Sequence, residues 1–483
     1  MQMVRKPTGQ ATIFENPVTF AGARLEPENR WVKIAGLVPW DMVETKYSTG
    51  FENPEVGNVA KPGRMALGAM IIKEKYQQSD EEIVAMIQEN AYFQFFIGLT
   101  EYTNKAPFDA STMTWFRKRL SPELIAEVNE YISGRRKKED DDKPNGTGSS
   151  SSGGGAENKG TLIMDATCVP ADIRFPTDVS LLNEAREKLE EIIDTLHNPK
   201  DGRKPRTYRE QARVKYNRFV RNRKPTKKAI RQAIRQQLGY VRRDLNTIDA
   251  LLATTTKELT ARQLANLETI RELFCQQKDM HDSRKHKTEH RIVSIHQPWV
   301  RPIVRGKATA EVEFGAKVSL SMMDGYSFIE RLEWEAYNEA GTMQEAAEAF
   351  KLKTGYYPER ILADRIYRNR NNLNYCKEHG IRLNGPKLGR PPADKAEYTR
   401  QKLLERQEAG ERNAVEGKIG EGKRTYGWGR LTVQLKETSE TSIYITVLTM
   451  NIMRRLRAIL WLLFRWLEKQ SISRAFALAC ATG

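Results

Sequence analysis

Three acidic residues stand where elements of regular structure end or cross. Asp165 closes the apolar run TLIMD, Asp364 follows the apolar ILA, and Glu416 lies in the helical stretch ERNAVEGK. Carboxylates in such a set suit phosphodiester chemistry. Cutting a phosphodiester needs a nucleophile at neutral pH and a stabilised leaving oxygen, and two hard cations about 3.5–4 Å apart supply both. Magnesium prefers oxygen ligands and keeps several waters, so two or three carboxylates suffice. Asp165 would bridge both ions, with Asp364 on one and Glu416 on the other. The chain has 62 Asp and Glu, so the same three acids are also compatible with ordinary solvated surface.

Bringing the three together takes a sheet whose strand ends gather at one edge and a helix that crosses it. The segments TLIMDATCV, RIVSIHQPWV and AEVEFGAKVSLSMM, the last followed by an Asp324-Gly325 turn, predict strands. Next come a helix over TMQEAAEAFKLKTG, a strand at RILADR, a helix and strand within NRNNLNYCKEHGIRLNGP, and a helix over 396–423. A last strand pair is expected at RLTVQLKE and SIYITVLTM, leading into a C-terminal helix. That order is the α/β order of a ribonuclease H-like fold, a mixed sheet with helices on both faces. A helical insertion at about 181–285, read as a long antiparallel hairpin, interrupts it.

Residues 1–134 read as an all-helical domain. Ser79 with Glu82 makes a capping box, and Ser121 followed by Pro122 a second helix start. Such short helices fit a DNA reader as well as a plain bundle. The stretch 135–160 is rich in Gly and Ser and reads as a linker. Residues 161–450 form the expected catalytic domain and 451–483 an amphipathic basic helix, with Ile459, Leu460, Leu463 and Trp466 on its apolar side. Packing against protein is the ordinary use of such a helix, a membrane surface the other.

The chain carries a formal charge of +17, and the window 201–245 alone holds sixteen Lys/Arg against three Asp/Glu. A concentrated basic stripe points to a polyanion. Arg213, Lys215, Arg218, Arg221, Arg223, Lys227, Lys228 and Arg231 are the expected DNA backbone contacts there, interleaved with Tyr208, Tyr216, Phe219 and Tyr240. Arg301, Arg305 and Lys307 in RPIVRGK would add to them, or would serve as edge-strand charge. His281, His286, His290 and His296 cluster beside Glu289 without a further ligand motif, which fits a solvated DNA-facing segment better than a metal site. The four cysteines are widely spaced, a reducing-compartment pattern, and the longest C-terminal apolar run, 458–464, is too short to span a bilayer. The expectation is a cytoplasmic protein without a membrane partner.

The residues around the acids carry a resemblance. Arg412, Glu416 and Lys423 stand as R-x3-E-x6-K, which resembles the Y-x2-R-x3-E-x6-K signature of bacterial insertion-sequence DDE transposases, in the superfamily of insertion-sequence families four and five. MDAT around Asp165 and LADRIY around Asp364 and Tyr367 agree with it, whereas Ala409 stands where the signature has Tyr. The resemblance implies catalytic and metal-binding roles for Asp165, Asp364 and Glu416, with two Mg2+ or Mn2+ ions. Arg412 and Lys423 would meet DNA phosphates. It further implies a homo-oligomer, a dimer in the working complex, that binds double-stranded DNA at terminal inverted repeats, cleaves it and joins the ends to target DNA. A ribonuclease H-like nuclease without strand transfer and a domesticated DNA-binding protein are the other readings of this sequence.

Overall fold

The structure is a computed structural model that describes residues 19–20, 23–49, 60–134, 157–199, 202–307, 310–386 and 394–481. Most of the expected linker, 135–156, lies outside the described residues, as do the side chains of Arg305, Lys307, Leu463 and Trp466. The chain divides into two compact units. The first comprises Met1–Val169, Val318–Leu332 and Asn338–Gly483, the second Pro170–Lys317 and Glu333–Tyr337.

The first unit opens with the short pair β1 (Thr19–Phe20) and β2 (Ala23–Arg24), then seven helices: α1 (Arg30–Ala35), α2 (Trp40–Thr49), α3 (Gly63–Tyr76), α4 (Asp80–Glu89), α5 (Ala91–Phe96), α6 (Thr112–Arg119) and α7 (Pro122–Ile132). The helix starts follow local chemistry. The Ser79 hydroxyl accepts from the Glu82 N–H at the head of α4, and Ser121 accepts from Leu124 at the head of α7, where Pro122 needs no N–H partner. Their apolar faces form one core with the last helix of the chain: Ile71, Phe96, Phe116 and Val128 pack in the same cluster as Ile445, Leu448 and Ile452.

That last helix corrects the sequence reading. SIYITVLTM is not a strand, and the C-terminal helix does not begin at 451: one helix runs over Lys436–Ala481. Leu431 makes only an isolated bridge, so RLTVQLKE is no strand either. The β-branched residues favour a strand locally. Ile443, Ile445, Val447, Leu448, Met450 and Ile452 are all buried, and enclosure by the N-terminal helices outweighs that propensity.

The sheet of this unit centres on β3 (Thr161–Pro170). It continues with β5 (Ala310–Met323) and β6 (Tyr326–Glu333) on one side, and β7 (Arg360–Leu362) and β8 (Arg382–Leu383) on the other. β3, β7 and β8 are mutually parallel. β6 returns against β5 through Asp324 and Gly325, both with positive φ, the conformation of a tight hairpin turn. Gly325 has a second reason to lack a side chain, since a Cβ there would lie 2.3 Å from the Arg454 guanidinium. RIVSIHQPWV, expected as a strand, is irregular, and β6 takes the place assigned to it in the order.

In β3, Leu162 and Met164 point to one face. There they join Met343, Ala346 and Phe350 of α12 (Thr342–Thr354) and Cys376 of α13 (Arg370–Glu378). The opposite face is crossed by α14 (Lys395–Thr425). Helices thus cover both faces of the sheet.

In the second unit β4 (Arg301–Lys307) pairs antiparallel with the first half of β5. The rest is helical: α8 (Asp178–Leu196), α9 (Arg209–Arg221), α10 (Lys227–Leu252) and α11 (Ala261–Ser283). The two-armed hairpin is therefore a simplification. α8, α10 and α11 pack as three helices around Leu189, Ile193, Val241, Ile248, Ile270 and Leu273, and Ile292 and Ile295 of the irregular segment close the same core. α9 buries only Ala212, and its remaining positions are mostly charged or polar.

Candidate active site

Side chains alternate along a strand, so Thr161, Ile163 and Asp165 share the face of β3 opposite to Leu162 and Met164. β7 lies beside β3 in the register Thr161↔Arg360, Leu162↔Ile361 and Ile163↔Leu362. That register ends with β7 at Leu362, and Asp364 follows two residues later as the cap of the turn Arg365–Tyr367. Asp165 thus lies midway along β3, and Asp364 just past the end of the neighbouring strand β7.

α14 is fastened across this face by ion pairs. Glu408, nearly fully buried, pairs with Arg382 of β8, and Glu411 pairs with Arg360 of β7 at 2.7 Å. Arg360 also donates to the Thr161 hydroxyl at 2.8 Å, tying helix, β7 and β3 together. One turn further along come Arg412 and Glu416, and both act electrostatically on Asp165. The glycines after Glu416 do not end the helix, which runs on to Thr425. Gly422 is required by its neighbour: a Cβ there would lie 2.9 Å from the ring of fully buried Trp428. Ala409, where the signature has Tyr, is exposed.

Burial raises the proton affinity of the Asp165 carboxyl. The Ala166 N–H, donating to it at 2.8 Å, and Arg412 oppose that effect, while Glu339 and Glu416 add to it. Burial likewise raises the Tyr367 hydroxyl, with Glu339 and Asp165 adding to the rise. Glu339, in the turn before α12, was not singled out from sequence. An acid just ahead of a helix reads as ordinary dipole compensation, and only the fold sets it near Asp165.

Asp364 is exposed and caps its own turn, accepting from the Arg365 N–H at 2.7 Å. Glu416 is half-exposed and pairs with Arg412 at 2.9 Å, the i,i+4 contact its spacing allows. Each carboxylate is satisfied locally, and among the described residues no three His, Cys, Asp or Glu close into a metal-holding group. The donor set itself, three carboxylates, suits a hard divalent cation, and the repulsion that Glu339 and Glu416 impose on Asp165 is what such a charge would relieve. Lys423 sits in the last turn of α14.

The basic residues separate into two groups. Arg213, Lys215, Arg218 and Arg221 on α9, Arg223 after it, and Lys227, Lys228 and Arg231 on α10 are all exposed. The aromatics between them are partly used within the fold: Arg206 and Arg243 stack on Tyr208, and Lys215 and Arg243 lie over Tyr240. Arg301 is committed to Glu335 at 2.8 Å. The histidines do not form one group: His281 is on Asp282 and lines a cavity with His286, His290 is on Glu335, and His296 lies near Glu184. No helix of the described residues is long and apolar enough to cross a membrane.

Residues 361–453 match the family model described as Transposase DDE domain, and residues 20–119 match one described as Transposase domain. The first range contains Asp364, Arg412 and Glu416; Asp165 lies outside both. An uncharacterized protein, ORF8 in the nfe locus of Rhizobium meliloti, is 35% identical over 128 residues, which is 26% of this chain. The chain spans 59% of the length of that relative. No solved structure matches.

Proposed function

We propose that the chain is an insertion-sequence transposase, which cuts the ends of a mobile element and joins them to target DNA; its two matches to transposase domains support the reading. Asp165, Asp364 and Glu416 are its catalytic carboxylates. What supports the reading is that Arg412 and Glu416 of α14 act on Asp165 in β3, while Asp364 follows the neighbouring strand β7. A ribonuclease H-like description of this unit is supported by the β6-β5-β3-β7-β8 order and by the helices on both faces.

Two Mg2+ or Mn2+ ions held by the three carboxylates would supply a nucleophile near neutral pH and stabilise the leaving oxygen. Arg412, released from Glu416, offers a planar guanidinium to a phosphate, and Lys423 further along α14 offers a second charge. In the first step a water oxygen bonds to phosphorus, the P–O bond to the 3′-oxygen breaks, and a 3′-hydroxyl is freed. In the second that hydroxyl gives up its proton and bonds to a target phosphorus, whose own 3′-oxygen leaves. Each step exchanges one P–O bond for another, so no external energy source is needed. The exposed cations of α9 and α10 hold the duplex by its backbone, and a homodimer holds two element ends together.

The test is an assay with labelled DNA from the two borders of the gene, incubated with target DNA and Mg2+ or Mn2+. Joined product is expected. Cleavage without joining would replace this reading by that of a nuclease, and absence of both would remove it.

A further inference from the structure

The second unit contains a cavity of about 340 Å³ between the start of α10 and the end of α11. This volume falls in the range of about 300–1,000 Å³ that small-molecule sites occupy. Its floor is apolar, built from Ile230, Ile234 and Met280. Its rim is cationic, with Lys227, Arg231, Arg284 and Lys285. These four have no acidic partner among the described residues, although Asp178 also lines the cavity. Asp178 is already matched by Arg291 at 2.7 Å and by Gln277 at 3.0 Å.

Two further features point into the same place. The His281 ring lines the cavity, and its Nε2 is buried without a hydrogen-bond partner among the described residues, while Nδ1 is engaged with Asp282. A buried polar atom left unpaired is costly, and a ligand acceptor or donor would satisfy it. Arg284 sits on the rim in the left-handed region, φ 56, which a residue with a side chain adopts only when its surroundings hold it there.

An apolar floor beneath a ring of unpaired cations matches a flat, weakly polar ring joined to a phosphate. We propose that this cavity is a binding site for one nucleotide unit, with the base over Ile230, Ile234 and Met280 and the phosphate among Arg231, Arg284 and Lys285. The nucleotide is either free or an unpaired residue of a DNA strand. The second source rests on the proposed DNA substrate; the first does not.

The full chain is titrated with 2′-deoxyadenosine 5′-monophosphate by calorimetry. It is also titrated with two duplexes of equal length, one fully paired and one bearing a single unpaired 2-aminopurine, followed by fluorescence. Saturable binding of the mononucleotide is expected, weakened at least tenfold by Ile230→Trp, which fills the floor, and by the surface double variant Arg231→Ala with Arg284→Ala, which strips the rim. Tighter binding of the unpaired duplex with a change in 2-aminopurine emission, lost in the same variants, assigns the site to DNA. Mononucleotide binding with equal affinity for the two duplexes assigns it to a free nucleotide. Failure of both duplexes to bind would count against the DNA reading and leave the mononucleotide result to decide the cavity. No saturable mononucleotide binding and no preference for the unpaired duplex overturns the proposal, as does binding unaltered in both variants.

Discussion

α14 and α10 are both long helices rich in basic residues, and they use charge in opposite ways. On α14 the charges are matched: Arg382 with Glu408, Arg360 with Glu411, Arg412 with Glu416, and Lys418 with Glu421. These pairs fix where the helix crosses the sheet and hence where Glu416 stands. At the start of α10, Lys227, Lys228 and Arg231 are exposed and have no acid to match them among the described residues; of the two acids on this helix, Asp249 pairs with Arg271 and Asp244 is buried. Matched charge fixes a helix in place; unmatched charge stays at the surface.

The sharpest way to separate the two roles is Asp165→Asn. It removes the carboxylate that α14 faces and spares every exposed cation. Cleavage is expected to fall about a thousandfold, as loss of several kcal/mol of transition-state stabilisation implies. DNA binding, by gel shift, should stay within about twofold on the backbone contacts that remain. Normal cleavage by this variant would refute the assignment.

Asp244 tests the buried end of α10. Burial pushes its carboxyl up to about 7, Glu190 adds to the rise, and Arg186, Arg243 and Arg209 oppose it. A folded value above the unfolded one means that the protonated form stabilises the second unit. This contribution is complete below about pH 4 and is lost as pH rises through about 7. Asp244→Asn should therefore gain stability over the parent between pH 4 and 8, by ~4 kcal/mol, measured by denaturant melts. A difference that does not change with pH would remove Asp244 from this role.

Gly422→Ala forces a methyl against Trp428 at the end of α14, and overpacking of this kind costs ~2 kcal/mol. Thermal melting together with Trp emission reads it, and an unchanged melt would mean that the ring can move aside. The smallest effect is expected at single cations of α10. Lys228→Ala or Arg231→Ala should lower the slope of log affinity against log salt by about 0.9 each if each meets a phosphate. The same change at Arg382, whose charge Glu408 matches, should leave the slope as it was; equal slopes at all three positions would erase the contrast between the helices.

Local signals survived folding where the chemistry was local. Ser79 and Ser121 cap the helices they were expected to start, and the Asp324-Gly325 turn closes a hairpin. The element order was readable although two of its parts were misplaced. RIVSIHQPWV has strand composition, but its apolar residues Ile292 and Ile295 are spent closing the helical core, and YSFIERLE fills the vacant place in the sheet. SIYITVLTM misled for the opposite reason: a helix enclosed on all sides has no polar face, so it shows no helical period. At the site, the spacing of Arg412, Glu416 and Lys423 was legible because it lies on one helix. Glu339 was not, since its nearness to Asp165 depends on two elements far apart in sequence.

β3 and β5 are neighbours in the sheet, yet the 148 residues 170–317 of the second unit lie between Val169 and Val318. Closing so long a segment is slow in a flexible chain, whereas helices packed on near neighbours form quickly. Once α8, α10 and α11 have gathered, the segment is short and stiff, and its ends meet at far less entropic cost. Pulse-labelled hydrogen exchange during refolding should therefore protect the amides of α10 before those of β3; the reverse order would deny this sequence of events. The pairing of β3 with β5 at the centre of the sheet is then completed only after the helices of the second unit have gathered.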